Sequence, residues 1–404
     1  MSAGYKGGRP CPSVHPGALP RSRGTRSVRR VRVAVVTESF LPSLNGVTTS
    51  VLRVLDEFAE RGIEALVVCP AAGAPGHYAG HRVVEHPALA YRDFPVGIPT
   101  LALTRELADF EPDVVHVASP FLLGARAIAS ANRLGVPSVA IYQTDVPRFA
   151  ARYGIRGARA LAWRVIRQIH AGADLTLAPS TSALDDLAAA GIERTALWGR
   201  GVQSDRFHPR MRSSPYAAEV RAPLADGDAL VGYIGRISPE KRVERLASLS
   251  SLSGADLVVG GYGPSSTRVA AALGSRARML GRLDGERLPA VFAALDVFVH
   301  TGTEETFGQT VQEAQASGTA VVAPHAGGPT DLIEHGVDGL LYAPESDSDL
   351  RRQVERLLRD PQLRAQLGEA GRRRVLHRTW SALSDELLAH YATVGAPVSA
   401  ARGS

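Results

Sequence analysis

The feature that most narrows the folds open to this chain is a regular alternation of short valine-rich runs with longer stretches of helical spacing. An unbroken apolar run of roughly four to eight residues suits a strand buried on both faces, and such strands lie in parallel sheets covered by helices on each side. In the first half the runs are 31-VRVAVVT, 65-ALVVC, 113-DVVHVA, 138-SVAIY and 174-DLTLA. Residues 198–209 break both periods and read as a connector. A second series follows: 229-ALVGYIG, 256-DLVVGG, 277-ARMLG, 296-DVFVH, 319-TAVVAP and 339-GLLYA. The pattern predicts an α/β protein with two doubly wound domains, residues 31–199 and 200–378, facing across a cleft. A last helical pattern, residues 380–394, is expected to pack back on the first domain. Open sheets of this kind bind ligands beyond the carboxyl ends of their strands, so the chemistry is sought there.

At 404 residues the chain is long enough for two separate cores. Its formal net charge of +6 suits an anionic partner, but five arginines crowd between Arg21 and Arg30, so the excess is partly local. Residues 1–30 are expected to be a disordered basic tail, with contact to phospholipid or nucleic acid as the other reading. No nucleic acid is expected as a partner of the folded domains. Cys11 and Cys69 give neither a disulfide framework nor zinc spacing, which fits a reducing cytoplasm. No apolar run reaches the length of a membrane span, and residues 1–30, with no hydrophobic stretch behind their arginines, are not expected to be a secretory signal.

Three strand ends carry chemistry. In 304-EETFGQTVQEAQASG, Glu305 precedes Gly308 while Glu313 lies within a proline-free run from Gln309 to Ser317 that Gly318 ends, the pattern of a helix with a C-terminal glycine. One carboxylate therefore flanks a helix N-terminus and the other lies about two turns in. They are either stabilising charges or the two ends of a polyhydroxyl ligand whose phosphates face the helix. In 235-GRISPEKRVE, Arg236 and Lys241 can converge on phosphate, though a basic pair on a loop is also compatible with simple solvation. In 38-ESFLPSLNGV, Asn45 and Gly46 precede a helix; the glycine serves either a positive φ or close approach of backbone amides to an oxyanion.

The succession of GRISPEK, VVGGYGP and the segment from MLGRLDGERLP to EHGVDGLLY resembles the retaining glycosyltransferases of family 4, which have the GT-B fold of two Rossmann-like domains. The resemblance covers nearly all of residues 31–394. The segments 141-IYQTDVPRFAARYG and 113-DVVHVASPF look most like the actinobacterial GDP-mannose-dependent α-mannosyltransferases. The resemblance implies that Arg236 and Lys241 hold the diphosphate of a nucleotide sugar, GDP-mannose by preference, while Glu305 and the amides around Phe307 and Gly308 bind sugar hydroxyls. It implies that Glu313 accepts from the ribose, that Thr310 faces phosphate, and that Gly46 with Asn45 closes from the first domain. Gly235, Gly261 and Gln309 belong to the same donor-binding set. In that family the acceptor attacks on the face the nucleoside diphosphate leaves, and the departing phosphate serves as base, so neither a metal nor another cofactor is expected. The stretches 226-DGD and 347-DSD are read as turns or caps.

Three positions depart from the family's pattern. Gln143 stands where many relatives have a histidine, and an amide orients a hydroxyl without taking its proton. His116, ending another strand, is either a substitute proton handler or a structural core residue. Gln203 replaces a usual aspartate, and Asn45-Gly46 a glycine pair. Residues 148–170 carry Arg148, Arg152, Arg156, Arg159, Arg164 and Arg167 among Tyr153, Leu161, Trp163, Val165 and Ile166. Such a segment either lies on an anionic membrane, grips a phosphorylated acceptor, or packs as an ordinary amphipathic helix. The expected partners are a nucleotide sugar and a lipid or small-molecule acceptor, at a cytoplasmic location with peripheral membrane contact. The alternative is transfer from another nucleotide sugar, such as a UDP-sugar, to a secondary metabolite or aminocyclitol. A dinucleotide oxidoreductase fits less well, because 260-GGYGP lacks the glycine spacing of that fingerprint.

Overall fold

The structure, a computed structural model, describes residues 1–2, 4, 30–91, 94–143, 158–225 and 228–398. The chain divides into Met1–Arg30 and Val31–Ser404; the expectations for the basic tail lie outside the described residues, and the fold below is that of the second unit.

Its first sheet has eight strands: β1 (Arg32–Val36), β2 (Glu64–Pro70), β3 (His77–Tyr78), β4 (His81–His86), β7 (Val114–Val117), β8 (Ser138–Ile141), β9 (Leu175–Ala178) and β10 (Thr195–Leu197). They lie in the order β10-β9-β8-β7-β1-β2-β4-β3, and β5 (Ala88–Tyr91) with β6 (Phe94–Gly97) forms a separate hairpin. All pairings in the large sheet are parallel except β3 with β4. The second sheet is wholly parallel, in the order β13-β12-β11-β14-β15-β16. Its strands are β11 (Ala229–Ile234), β12 (Ala255–Gly260), β13 (Ala277–Gly281), β14 (Val297–Val299), β15 (Ala320–Pro324) and β16 (Leu340–Tyr342). All six runs expected in the second half are therefore strands.

Alternate side chains of each strand enter opposite faces, so each sheet has two cores. On β1, Val33 and Val35 pack with Val51, Leu55 and Phe58 of the Gly46–Glu60 helix, while Ala34 and Val36 pack with Leu103, Leu107 and Leu123 on the other side. Leu383, Leu387, Leu388 and Tyr391 of the last helix, Trp380–Thr393, join the Val33 face. In the second sheet Val231 and Val259 face one cluster, Leu230 and Val258 the other.

The chain passes from first to second sheet at residues 198–209 and returns at 375–380, and the two passages run side by side. Val202 N donates to Arg378 O at 2.9 Å, and Trp198 Nε1 to Leu383 O at 2.8 Å. A Cβ on Gly201 would come within 2.7 Å of the Trp380 backbone, so only glycine permits that crossing. The order of strands reverses next to β1 in one sheet and next to β11 in the other. Crevices beyond the strand ends form at such reversals, and the polar motifs of the sequence stand at these two points.

Candidate active site

Beyond β1, Asn45 caps the Gly46–Glu60 helix. Its Oδ1 accepts from Val47 N and Thr48 N at 3.0 and 3.1 Å, and its Nδ2 donates to Ser39 Oγ at 2.6 Å. The amide is fully used in shaping the turn. Gly46 has no positive φ; instead a Cβ there would lie 3.0 Å from Nη1 of Arg200. The glycine is thus explained by close approach, not by backbone strain.

Arg200, in the connector, is central. Its Nη2 donates to Gln143 Oε1 at 3.0 Å, while Gln143 Nε2 donates to Ala118 O at 2.8 Å. Gln143 therefore has both amide ends engaged. Burial holds the Arg200 guanidinium below its ordinary range, opposed by the nearby Glu305 carboxylate. From the second sheet, Thr306 Oγ1 donates to Gln143 O at 3.2 Å and Gln309 Nε2 to Gly201 O at 3.2 Å.

At the end of β11, Gly235 has φ +155° and Gly261, beyond β12, has φ +134°. A Cβ on Gly261 would sit 1.9 Å from Gly235 O, so these glycines let two loops cross backbone to backbone. Arg236 follows, exposed, its carbonyl fixed by Tyr233 Oη at 2.9 Å. Lys241 ends a short 3-10 turn and is paired with Glu305 through a hydrogen-bonded contact. Burial alone would raise the Glu305 carboxyl, but Lys241 foremost, with His300 and Arg200, pulls it down to about 2. His300, ending the β14 segment, lies 3.6 Å from Glu305, is 1% exposed, and is lowered to about 4 by burial.

The Gln309–Ala316 helix starts at Gly308, whose φ of +101° turns the chain into it, and no side chain caps its first amides. Phe307 is buried in the core, so only its backbone faces outward. The segment from Glu305 to Gly308 is clamped by two glycines: Gly328 N donates to Glu305 O at 2.8 Å, and Cβ atoms on Gly327 and Gly328 would come within 2.4 Å of Glu305 O and 2.3 Å of Phe307 O. Thr310 lies in the first turn of that helix and Glu313 one turn further along. Burial pushes the Glu313 carboxyl up to about 7, with Arg206 and a hydrogen bond from Gln309 opposing.

A cavity of about 470 Å³ joins the two sides. Asn45, Gly46, Gln143, Arg200, Arg236 and Glu305 are in its wall. The rest of the expected donor set, Gly235, Gly261, Phe307, Gly308, Gln309, Thr310 and Glu313, lies outside that wall, as does Lys241, the partner of Glu305. His116 is a correction. It is 2% exposed, its Nδ1 is 2.7 Å from Tyr391 Oη, and burial takes it down to about 3. It ties the last helix to the first sheet and does not reach the cavity.

Models of two families cover most of the chain: Glycosyltransferase Family 4 matches residues 44–206 and Glycosyl transferases group 1 matches residues 218–374. The chain is 44% identical over 374 residues to the GDP-mannose-dependent alpha-mannosyltransferase of Mycobacterium tuberculosis, covering 90% of this chain and 97% of the relative. It is 45% identical over 373 residues to the protein of the same description from Mycolicibacterium smegmatis, covering 90% and 98%. This chain belongs to glycosyltransferase family 4. The crystal structure of Anabaena Alr3699/HepE in complex with UDP shares the fold, with TM-score 0.74, 19% identity, and coverage of 90% of this chain and all of the other.

For this family 4 enzyme, the sequence motifs overlooked Arg200, His300 and the Gly327-Gly328 pair. Arg200 stands between two glycines in a segment read only as a connector, and a cation so framed was the available signal. His300 ends a recognised strand five residues before Glu305; its placement beneath the carboxylate is tertiary. Gln203, at the departed position, accepts from Arg53 Nη2 at 3.0 Å. In 347-DSD, Asp349 Oδ2 accepts from Ala343 N at 2.8 Å and Asp347 pairs with Arg245 at 2.6 Å, both at the start of the Asp347–Arg359 helix. Residues 226 and 227 of 226-DGD, and Arg148, Arg152, Tyr153 and Arg156, lie outside the described residues.

Proposed function

We propose that this glycosyltransferase moves mannose from GDP-mannose, with retention, to a hydroxyl of a lipid or small polar acceptor. The donor assignment is supported by the descriptions of its mycobacterial relatives. The observation that carries the reading is the Lys241–Glu305 pair, whose carboxylate shares the cavity wall with Arg200 and Arg236 and precedes an uncapped helix N-terminus. On this reading residues 31–199 form the acceptor side and 200–378 the donor side, with the last helix belonging to the former.

The diphosphate binds Arg236, Lys241 and the first amides of the Gln309–Ala316 helix, near Thr310. Glu313 accepts from the ribose hydroxyls. Glu305 and the backbone amides at Phe307 and Gly308 take the hexose hydroxyls. The acceptor oxygen bonds to the anomeric carbon on the face from which the phosphate leaves. The carbon–oxygen bond to phosphate breaks with its electron pair going to GDP, and the acceptor's proton passes to that same phosphate. Negative charge therefore grows on one oxygen, and fixed cations and amides there favour the transition state over the ground state. Lys241 leaves Glu305 for the phosphate as the donor enters. Gln143, engaged at both amide ends, orients and does not exchange protons.

Among the described residues no helix is long and apolar enough to cross a membrane. The Ala158–Ala171 helix buries Ile166 but leaves Leu161 64% and Val165 40% exposed beside Arg159, Arg164 and Arg167. We place this face against anionic lipid when the acceptor is membrane-bound.

The test is a mass-resolved transfer assay with purified protein, GDP-mannose and a membrane lipid extract. A product heavier by one hexose, formed from GDP-mannose in preference to UDP- and ADP-sugars, is the expected result. Equal or better use of a UDP-sugar would overturn the donor assignment.

A further inference from the structure

Two of the positions that depart from the family's pattern, Gln143 and the Asn45-Gly46 pair, flank a cation that lies outside every motif of the sequence. Arg200 stands in the cavity wall with Gln143, Gly46, Arg236 and Glu305. Gln143 is anchored by its own amide, Nε2 donating to Ala118 O at 2.8 Å, so its Oε1 is held toward Arg200 and accepts from Nη2 at 3.0 Å. Nη1 lies against the backbone of Gly46, where a Cβ would come within 3.0 Å of it. The guanidinium is thus fixed by one amide and given room by one glycine. Among the described residues no carboxylate is paired with it, because Glu305, which acts on its charge, is hydrogen-bonded to Lys241.

A guanidinium carries only donors, and among the described residues Gln143 is the one hydrogen-bond partner of Arg200. A cation held in a cavity wall with donors to spare suits an anion, and the planar fork matches phosphate in geometry as well as charge. Burial opposes the charge of Arg200 and Glu305 only partly offsets it, so a phosphate in the cavity would favour the charged form. The neighbours select which phosphate. Glu305, which takes hexose hydroxyls on the reading above, shares this wall, so the nearest phosphate is the one bonded to the sugar. The amide at position 143 fits the same arrangement. An amide oxygen accepts from the fork at any pH, whereas an imidazole accepts only when neutral and, once protonated, sets a second positive charge against the first.

We propose that Arg200 is a catalytic residue that holds the terminal, sugar-linked phosphate of the donor, and that Gln143 is a positioning residue that aims its guanidinium while Gly46 leaves it room. As the bond between the anomeric carbon and the phosphate oxygen breaks, its electron pair stays on that oxygen, and the acceptor's proton then passes to the same phosphate. The charge present between those events is what a fixed cation stabilises. The proposal rests on the glycosyl-transfer reading above and adds to it a third cation and a task for Gln143 that involves no proton.

The test is isothermal titration calorimetry of the full chain with GMP and GDP, joined to the rate of transfer to a membrane lipid extract at saturating GDP-mannose. GMP lacks the terminal phosphate, so the ratio of the two affinities reports that group. In Arg200→Gln the ratio falls at least about tenfold, the scale of a lost charged hydrogen bond, while GMP affinity stays within about threefold of wild type. The rate falls at least about tenfold, and Arg200→Lys, which keeps the charge without the fork, regains part of both. Gln143→Met lowers the ratio and the rate in the same direction but adds little in the Arg200→Gln background, because the amide acts through the guanidinium. Far-UV circular dichroism reports folding, and Arg200→Met serves if Arg200→Gln does not fold. Equal binding of GMP and GDP by the wild-type chain, or an intact ratio in the folded Arg200 variant, overturns the proposal; additive losses overturn the positioning role of Gln143. If the wild-type chain binds UDP in place of GDP, the same ratio is read with UDP and UMP. If it binds neither, the donor reading itself fails; if the ratio is present and survives loss of Arg200, only this assignment falls.

Discussion

At the scale of single residues, Glu305 and Glu313, at either end of one segment, are tuned in opposite directions. Glu305 is pulled down to about 2 despite burial, and Glu313 is pushed up to about 7 because its burial is only partly offset. The consequences for stability have opposite signs. Glu305 has a folded value below its unfolded one, so its contribution is present above pH 4.5 and is lost as the pH falls toward 2. Glu313 has a folded value above its unfolded one, so its contribution is present below pH 4.5 and is lost as the pH rises through 7. Replacing Glu313 with glutamine, which mimics the neutral acid, is expected to raise the unfolding free energy measured by chemical denaturation at pH 8 by at most about 3 kcal/mol relative to wild type, and to leave it nearly unchanged at pH 4.5. The same variant should bind GDP-mannose more weakly at pH 8, since an amide is a poorer acceptor for two ribose hydroxyls. Both phosphates of that donor are esterified, so its own titration does not interfere. Lys241→Ala is expected to lower kcat at least tenfold with a smaller change in GDP affinity; an unchanged kcat in steady-state assays would remove the phosphate-stabilising role.

Among elements, the helix Gln309–Ala316 and the loops around it carry the donor side, and their shape depends on backbone contacts that no side chain advertises. Gly327 and Gly328 press on the backbone of Glu305 and Phe307, so Gly328→Ala forces that loop outward. The expected result in calorimetry is at least a tenfold loss of GDP affinity with the far-UV circular dichroism unchanged; retained affinity would show that this loop does not shape the donor site. The last helix is a different case. Leu387 is fully buried against the first sheet, and Leu387→Ala should cost about 2–5 kcal/mol by chemical denaturation. The runs expected as strands in the second half are all strands; the others are apolar at their centres and buried in the sheet, whereas 277-ARMLG, with only Ala277 buried, is an edge strand held by pairing with β12. The edge strands β3 and β10, the neighbouring β4 and the β5–β6 hairpin were not legible: they are short or alternate with polar residues, and their partners, not their composition, define them.

For the whole molecule, the two sheets meet through a small set of polar contacts. Thr306 reaches Gln143 O at 3.2 Å, Gln309 reaches Gly201 O at 3.2 Å, and Thr181 N donates to Asp331 Oδ2 at 2.5 Å. A ligand that binds between them and only to the folded chain raises its apparent stability, by about 2.7 kcal/mol at a hundredfold excess over Kd. GDP is expected to raise the melting temperature in a panel with UDP, ADP and NAD; stabilisation by NAD alone would reject the transferase reading.

The sequence by itself determined the class of fold and the chemistry of the strand ends, because apolar periodicity and the spacing of Arg236, Lys241, Glu305 and Glu313 are local properties of the chain. Only the tertiary structure decided which charges meet. It set Arg200 against Gln143 and Glu305, placed His300 under the carboxylate and Glu38 in the cavity wall, and buried His116 against Tyr391. The physical reason is that burial and pairing depend on residues distant in sequence, and these fix both the free energy of a charge and whether it has a partner.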